Sequence, residues 1–206
     1  MTLLELLDYA SVIVFALTGA LVASRAQLDI VGFAFVAALT ATGGGTVRDV
    51  ILDRNPVFWV AEPGFILAAV AAAALVFFTA HLFESRLKLL TWLDALALAV
   101  AVPAGTGVAM ALGHGAAVVL LMGVATGCLG GLMRDVVCNE VPLVLKQGEL
   151  YVTAALAGAA AAILASQVAP ESVALPACAA VTFTLRAGSL LFGWRLPVYR
   201  SRPPRR

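Results

Sequence analysis

The sequence contains few charged residues. Charged side chains make up 12% of the 206 residues, and the formal net charge is +1. Soluble domains carry roughly 25% charged residues, so this chain has too few polar groups to cover a surface that faces only water. The small net charge also gives no general attraction to nucleic acid, and we expect no nucleic-acid partner.

Cysteine and catalytic motifs are also scarce. The three cysteines, Cys128, Cys138 and Cys178, lie in apolar runs. Their odd number and the lack of a Cys-x-x-Cys pair argue against a disulfide framework and a zinc site. No Ser-His-Asp grouping, His-Glu-x-x-His motif or phosphate-binding loop stands out. We therefore expect no enzyme, no metal site and no cofactor beyond a permeant ion and bound lipid.

What the sequence has instead is long apolar runs. Apolar residues make up 62% of the chain, and a helix needs about 20 of them in succession to cross a bilayer. The first run starts MTLLELLD without Lys or Arg, so we interpret it as a mature helix and not as a signal peptide. Seven windows are long enough, roughly 3–23, 30–52, 65–83, 92–112, 115–138, 150–168 and 172–193.

Lys and Arg are distributed unevenly between the two sides of these spans. The loops after spans 1, 3 and 5 lie on the side of the C-terminus, and the other side carries Arg54 and little else. Basic loops stay in the cytoplasm, so we expect a multi-pass inner-membrane protein with its N-terminus outside and its C-terminus in the cytoplasm. The tail RSRPPRR is a topology signal in this interpretation, and contact with anionic membrane lipid is the alternative. The basic residues of the C-terminal side are Arg25, Arg86, Lys88, Lys146, Arg195, Arg200, Arg202, Arg205 and Arg206.

One segment of the chain occurs twice. TATGGGTVRDVILDRNP (40–56) recurs as TGCLGGLMRDVVCNEVP (126–142) at an offset of 86 residues. The same offset pairs Asp8 with Asp94. A constant register through two spans indicates an internal repeat. The matching residues are Thr40, Gly44, Gly45, Arg48, Asp49, Val50 and Pro56 with Thr126, Gly130, Gly131, Arg134, Asp135, Val136 and Pro142.

The repeat predicts the fold. Each copy contains three spans, and because three is odd the second copy enters the membrane from the opposite side. We therefore predict an all-α integral membrane protein of seven transmembrane helices, built from two inverted three-helix repeats plus a seventh helix. The expected units are residues 1–88, 89–170 and 171–206. Inverted repeats are common in transporters, whose sites lie near the midplane between the repeats.

Glycines cluster slightly beyond the middle of the second span of each repeat. Each costs about 1 kcal/mol relative to alanine in a helix interior, so a triplet favours bending or unwinding. An unwound stretch exposes carbonyls that replace part of a cation's hydration shell, in which case these spans line a central constriction. The alternative is close packing through small residues. The candidates are Gly43, Gly44, Gly45, Gly130 and Gly131, with Thr40 and Thr126 one turn earlier.

Arg48-Asp49 and Arg134-Asp135 follow these glycines by about one turn. An ionisable residue inside a span is a functional hypothesis by default. Because neighbouring residues on a helix point in different directions, we expect each arginine to pair with carbonyls or with an acid on another helix. The pseudo-two-fold axis places Arg48 toward the outer mouth and Arg134 toward the inner mouth. The alternative is that these side chains snorkel to the interface.

Three further charges lie within the spans. Arg186, late in span 7, either lines the cavity or a subunit contact, or snorkels inward. Asp8 and Asp94 open the first span of each repeat, where we expect acids to complement the helix dipole. His81 and His114 are isolated near span ends and are not expected to be ligands.

Together these motifs resemble the prokaryotic TRIC (trimeric intracellular cation channel) family, whose bacterial members are also grouped as glycine-transporter domain proteins. The similarity lies in TGGGTVRDVIL, GGLMRDVV, the prolines after them and GWRLP after span 7, and it covers about residues 5–198. It implies a homotrimer in which each subunit has its own hourglass pore for monovalent cations, chiefly potassium. It also implies that the glycine-kinked spans 2 and 5 line that pore, with Arg48 and Arg134 as charged neighbours.

Two functions remain open from the residues alone. A cation channel would use glycine carbonyls together with Asp49 and Asp135. A carrier for a small zwitterion such as glycine would hold a carboxylate and an amine between Arg and Asp groups at the same midplane site. The resemblance favours the channel. A non-conducting membrane scaffold is a third possibility, against which a water-filled path would argue.

Overall fold

The computed structural model describes residues 2–82 and 85–199. The tail arginines Arg200, Arg202, Arg205 and Arg206, which contribute to the topology prediction, lie outside these residues. The described part is all-helical, as predicted. Its α-helices are α1 (Leu3–Arg25), α2 (Ile30–Ile51), the short α3 (Phe58–Ala61), α4 (Gly64–Thr79), α5 (Arg86–Ala111), α6 (Ala116–Val137), α7 (Val152–Ala165) and α8 (Glu171–Phe192).

Six of the helices in the described residues are long and apolar enough to cross a membrane, α4 together with the single 3₁₀ turn that follows it. The seventh predicted span corresponds to α7, which has 14 residues. A helix of that length rises only about 21 Å, so α7 is shorter than the hydrocarbon core of a bilayer. The chain is a multi-pass membrane protein of six long spans and one shorter apolar helix.

The predicted start of span 4 is wrong. α5 begins at Arg86, where the Ser85 hydroxyl accepts a hydrogen bond from the backbone of Lys88. The charged residues before the apolar run therefore form its first turn, since a capping side chain extends a helix beyond its apolar residues. The unit boundary expected after residue 88 consequently falls inside α5, whereas the boundary at 170/171 coincides with the start of α8.

Local caps begin the first two helices. Thr2 and Glu5 form a reciprocal capping box at the start of α1, which satisfies two backbone donors that a helix leaves free. The Asp29 carboxylate accepts the backbone N–H of Gly32 at 2.7 Å and caps α2. These short polar turns allow α1 and α2 to pack as antiparallel neighbours.

The sequence repeat is also a structural repeat. α2 and α6 begin and end 86 residues apart, at Ile30 and Ile51 and at Ala116 and Val137. The turns after them match as well: Asp53 and Asn139 have φ values of 52° and 54°. α8 has no counterpart and packs against α5 and α7.

The two sides of the helix bundle can be named from the chain. We call N-terminal face the side on which α1 begins and α2 ends, and C-terminal face the side on which α1 ends and α6 ends. An ion pair between Arg25 and Glu140, with N and O atoms 3.3 Å apart, joins the ends of α1 and α6 on the C-terminal face.

Candidate functional site

α2 and α6 cross where the repeated glycines lie. A Cβ on Gly44 would overlap the backbone carbonyl oxygen of Thr126, and a Cβ on Gly130 would overlap that of Thr40. These two contacts are related by the 86-residue offset, so the pseudo-two-fold axis passes through the crossing. We call these four residues the glycine crossing. Only glycine permits two helix backbones to approach this closely.

The same small-residue packing extends to α1 and α5. A Cβ on Gly19 would lie 2.7 Å from the Thr40 hydroxyl oxygen, and a Cβ on Gly105 would overlap the Thr126 hydroxyl. Thr40 and Thr126 are 1% and 5% exposed. Four helices, α1, α2, α5 and α6, therefore pack closely through small residues at the centre of the molecule.

The expected unwinding at the glycines is wrong for this conformation. α2 is helical throughout Ile30–Ile51 and α6 throughout Ala116–Val137. The alternative, close packing of small residues, describes the contacts better, because packing against a neighbouring backbone compensates the low helix propensity of glycine. The path expected along these spans is closed at this point.

The first charge network lies one turn beyond the crossing and centres on Arg48. Its Nε atom donates to Asp49 Oδ1 at 2.8 Å, and its Nη1 atom donates to Asp8 Oδ1 on α1 at 2.8 Å. The Arg48 side chain is 0% exposed, and its guanidinium carbon lies 5.4 Å from the centre of the Phe58 ring. Two carboxylates and an aromatic face thus surround a fully buried cation.

The second network repeats the first around Arg134. Its Nε atom donates to Asp135 Oδ1 at 2.7 Å, and its Nη1 atom donates to Asp94 Oδ1 on α5 at 3.0 Å. The same Nη1 also donates to the Thr18 hydroxyl at 2.8 Å, which joins the second repeat to α1. The Arg134 side chain is 0% exposed.

Three expectations about these charges need correction. Neither arginine snorkels, since both are completely buried. Each arginine does pair with the adjacent aspartate, in addition to the expected acid on another helix. Its Nε atom binds the adjacent aspartate, and its Nη1 atom binds the acid on the other helix. Asp8 and Asp94 are not dipole-complementing terminal acids, for each lies inside its helix and binds an arginine.

The second oxygen of each motif aspartate binds the segment that follows the helix. Asp49 Oδ2 accepts the backbone N–H of Phe58, the first residue of α3, at 2.9 Å. Asp135 Oδ2 accepts the backbone N–H of Leu143, which begins a single 3₁₀ turn, at 2.8 Å. An Arg-Asp motif therefore fastens the end of its own helix to another helix and to the returning chain. The sequence offered no signal for these backbone contacts.

The networks also differ at the fifth residue after the motif aspartate. Arg54 and Glu140 are equivalent in the repeat, and their backbone N–H groups make the same 2.8 Å bond, to the carbonyls of Asp49 and Asp135. Their side chains diverge. Arg54 donates to Asp49 Oδ1 at 3.0 Å, whereas Glu140 turns away to pair with Arg25.

Arg186 on α8 forms a third buried charge. Its Nη1 atom donates to Glu149 Oε2 at 2.8 Å, and its guanidinium carbon lies 4.9 Å from the centre of the Tyr151 ring. The side chain is 0% exposed, so of the two predictions for Arg186 snorkelling is wrong. Arg186 holds the α6–α7 loop on α8 and lies near the C-terminal face, away from the glycine crossing.

Several buried polar atoms have no hydrogen-bond partner among the described residues. Both network arginines have such an atom, Nη2, and so does Asp94, at Oδ2. Groups of this kind are expensive in a membrane interior unless polar surroundings are available. Within the described residues, no group of three or more His, Cys, Asp or Glu side chains could hold a metal ion.

Comparison with known proteins agrees with the repeat. The profile of a family described as glycine transporter matches residues 5–81 and again residues 91–167, an offset of 86 residues. The chain is 35% identical over 204 residues to a UPF0126 membrane protein of Vibrio cholerae serotype O1, covering 96% of this chain and 83% of that one. It is 34% identical over 200 residues to the UPF0126 inner membrane protein YadS of Escherichia coli K12, covering 94% of each.

The fold is similar to solved TRIC channels. A TRIC trimeric intracellular cation channel orthologue from Rhodobacter sphaeroides shares 44% identity and superposes with a TM-score of 0.90, covering 94% of this chain and 100% of that one. A prokaryotic TRIC channel solved in 0.5 M KCl shares 28% identity with a TM-score of 0.87, covering 92% and 96%. The resemblance expected from the motifs is confirmed, and so is the expectation that the chain is not an enzyme.

Proposed function

The chain belongs to the glycine transporter family of UPF0126 membrane proteins and has the TRIC fold, and from this premise we propose that it is a monovalent-cation channel of the inner membrane. Potassium is the permeant ion that we assign. Each protomer of a homotrimer contains its own path, and that path is closed at the glycine crossing in this conformation.

The observation that supports this proposal best is the symmetric placement of two buried charge networks on either side of one glycine crossing. Each network holds two carboxylates around its central arginine, Asp8 and Asp49 around Arg48, and Asp94 and Asp135 around Arg134. In the first network Arg54 adds a second cation at Asp49. Acidic groups near a pore favour cations over anions. The crossing between them is held by van der Waals packing of small residues, which two helices can break and re-form without exposing large side chains.

We assign the narrowest part of the path to the crossing and its neighbours, and the wider parts to the two networks. Arg48, Asp49, Arg134 and Asp135 form the charged walls of these wider parts. The unpartnered Nη2 atoms of the two arginines face permeating water when the helices separate. Arg186 supports the C-terminal face and is not placed in the path. The residues of the narrow part are Thr40, Gly43, Gly44, Gly45, Thr126, Gly130 and Gly131.

The orientation that we propose places the N-terminal face outside and the C-terminal face in the cytoplasm. Arg25, Arg86, Lys146 and Arg195 lie at the C-terminal face, whereas Arg54 lies at the other. Retention of basic loops in the cytoplasm supports this assignment. The location in the inner membrane is supported by the similarity to YadS, an inner membrane protein.

A second function is favoured by one specific observation, the description of the matching family as glycine transporter. A carrier would use the same crossing as the closed gate of an alternating-access cycle. Arg48 or Arg134 would then bind the substrate carboxylate, and a network aspartate its amine.

One pair of experiments separates the two functions. Purified protein in a planar bilayer under a potassium chloride gradient should give discrete current steps that reverse near the potassium equilibrium potential. The same preparation in liposomes should show no saturable uptake of labelled glycine. Silence in the bilayer together with saturable glycine uptake would identify a carrier and overturn the proposal.

A further inference from the structure

We propose that Arg54 is a tethered cation that occupies the Asp49 carboxylate at the N-terminal face and limits the entry of mobile cations there. This inference rests on the proposed cation conduction. Arg54 would then control how readily cations enter the path from the N-terminal face.

The Arg54 side chain joins two environments. Its Nη1 atom lies 3.0 Å from Asp49 Oδ1, whose side chain is 0% exposed, while the Arg54 side chain is 36% exposed. The guanidinium therefore reaches from the aqueous surface to a fully buried carboxylate. A cation that entered the proposed path from this face would be attracted to the Asp49 carboxylate. The Arg54 guanidinium already occupies that carboxylate.

The second repeat provides an internal comparison. Glu140 leaves the backbone at the equivalent place, with the same bond to the carbonyl of the motif aspartate. It carries the opposite charge and pairs with Arg25. Asp135 Oδ1 accordingly accepts one side-chain donor, Arg134 Nε, where Asp49 Oδ1 accepts two.

The charges of the two networks differ as a result. In the first repeat, Arg48 and Arg54 balance Asp8 and Asp49. In the second repeat, Arg134 is the one arginine that pairs with the two carboxylates of Asp94 and Asp135. A cation that reaches the second network thus meets a motif aspartate without a second side-chain cation, whereas one that reaches the first network must displace Arg54 from Asp49.

The first test removes the charge of Arg54. Potassium currents of the Arg54→Gln variant are compared in planar bilayers with those of the wild type and of Arg54→Lys. We expect Arg54→Gln to raise the current carried by ions entering from the N-terminal face by at least about threefold, because a fixed charge in a cleft sets the local ion concentration. Arg54→Lys retains the charge and should stay near the wild type. Arg25→Gln is the matched control, since it breaks a partly exposed ion pair at the opposite face.

A second test adds the charge back after folding. The partly exposed position 54 is suited to an Arg54→Cys variant, made in a Cys138→Ala background and treated with charged methanethiosulfonates from the N-terminal side. A cationic reagent should lower the current toward the wild-type level, and an anionic reagent should raise it. The native thiols interfere little, because Cys128 and Cys178 are buried and Cys138 is replaced in this background.

The outcomes distinguish this inference from the channel proposal. If the wild type conducts and Arg54→Gln conducts identically, and the modified Arg54→Cys protein responds to neither reagent, Arg54 has no role in entry and only the inference fails. If the wild type carries no potassium current at all, the proposed function fails first. Equal responses to the cationic and anionic reagents would indicate a steric effect and would also overturn the role of charge.

Discussion

Two adjacent glycines of α2, Gly43 and Gly44, differ in what an added methyl group would contact, so alanine substitutions at the two positions can be compared. Alanine at position 44 places a methyl group against the backbone of Thr126, with the carbonyl carbon at 3.1 Å and the Cα at 3.2 Å. Alanine at position 43 meets mainly the sulfur of Met133 at 2.7 Å, and its next neighbour, the Gly130 Cα, is 3.8 Å away. A backbone cannot yield locally, whereas the flexible end of a methionine side chain can.

The two substitutions share their effect on helix propensity and differ in their packing. Replacing glycine by alanine inside a helix stabilises by roughly 0.5–1 kcal/mol. Overpacking a rigid contact costs about 1–3 kcal/mol. We therefore expect Gly43→Ala to be neutral or slightly stabilising and Gly44→Ala to be destabilising, with about 1–3 kcal/mol between them.

The measurement is the thermal midpoint of the purified protein in one detergent. For a chain of this size, 1 kcal/mol corresponds to about 2–4 °C, so Gly44→Ala should melt about 2–12 °C below Gly43→Ala. Gly130→Ala should behave like Gly44→Ala, because its Cβ would overlap the carbonyl oxygen of Thr40 in the symmetric contact.

Equal melting temperatures for Gly43→Ala and Gly44→Ala would refute the close crossing of α2 and α6. A result in which only Gly44→Ala is destabilised and Gly130→Ala is not would instead contradict the symmetry of the contact. Both results are independent of whether the protein conducts.

Three further outcomes are expected. Arg134→Met should lower the yield of folded protein on gel filtration sharply, since removing one partner from a buried ion network costs about 3–5 kcal/mol; a normal yield would mean that the network is dispensable. Gly45→Ala should destabilise the fold because its Cβ would lie 2.6 Å from the Phe58 ring. Adding Phe58→Leu should relieve that loss. Additive shifts of the melting temperature in the double variant would disprove the contact. Gly188→Ala should displace the Trp194 indole, which its Cβ would overlap. Tryptic cleavage at the neighbouring Arg195 should then be faster. Unchanged cleavage would show that the indole does not hold the segment around Arg195 in place.

Much of the architecture could be predicted because the sequence repeats itself. The match of Arg48 and Asp49 with Arg134 and Asp135 at a constant offset fixes the number of spans per copy, and an odd number makes the copies inverted. Long apolar runs located all the spans, with α7 shorter than expected. The error at the start of α5 arose because Arg86 and Lys88 are polar, and hydropathy does not detect a capping residue such as Ser85.

The state of the glycines could not be predicted, because it depends on what lies opposite them. The low helix propensity of Gly43–Gly45 is a local property and favours unwinding. The backbone of Thr126, which keeps α2 helical at this point, is about 80 residues away in the sequence. In the same way, one-dimensional spacing predicted an acid on another helix as a partner of Arg48, which Asp8 is, but did not predict that the buried side chain binds Asp49 as well.

The contacts of the motif aspartates constrain how the path opens. Asp49 holds α3 through the Phe58 N–H, and the Phe58 ring in turn fills the space beside Gly45 and lies over Arg48. If the end of α2 moved away from α6 without α3, these contacts would break, which is expensive in a membrane interior. The least costly movement keeps the Arg48 network intact and therefore displaces the end of α2 together with α3 and the part of α1 that carries Asp8. Opening of the proposed channel is then a hinge at the glycines themselves, where the backbone lacks side chains that would oppose bending.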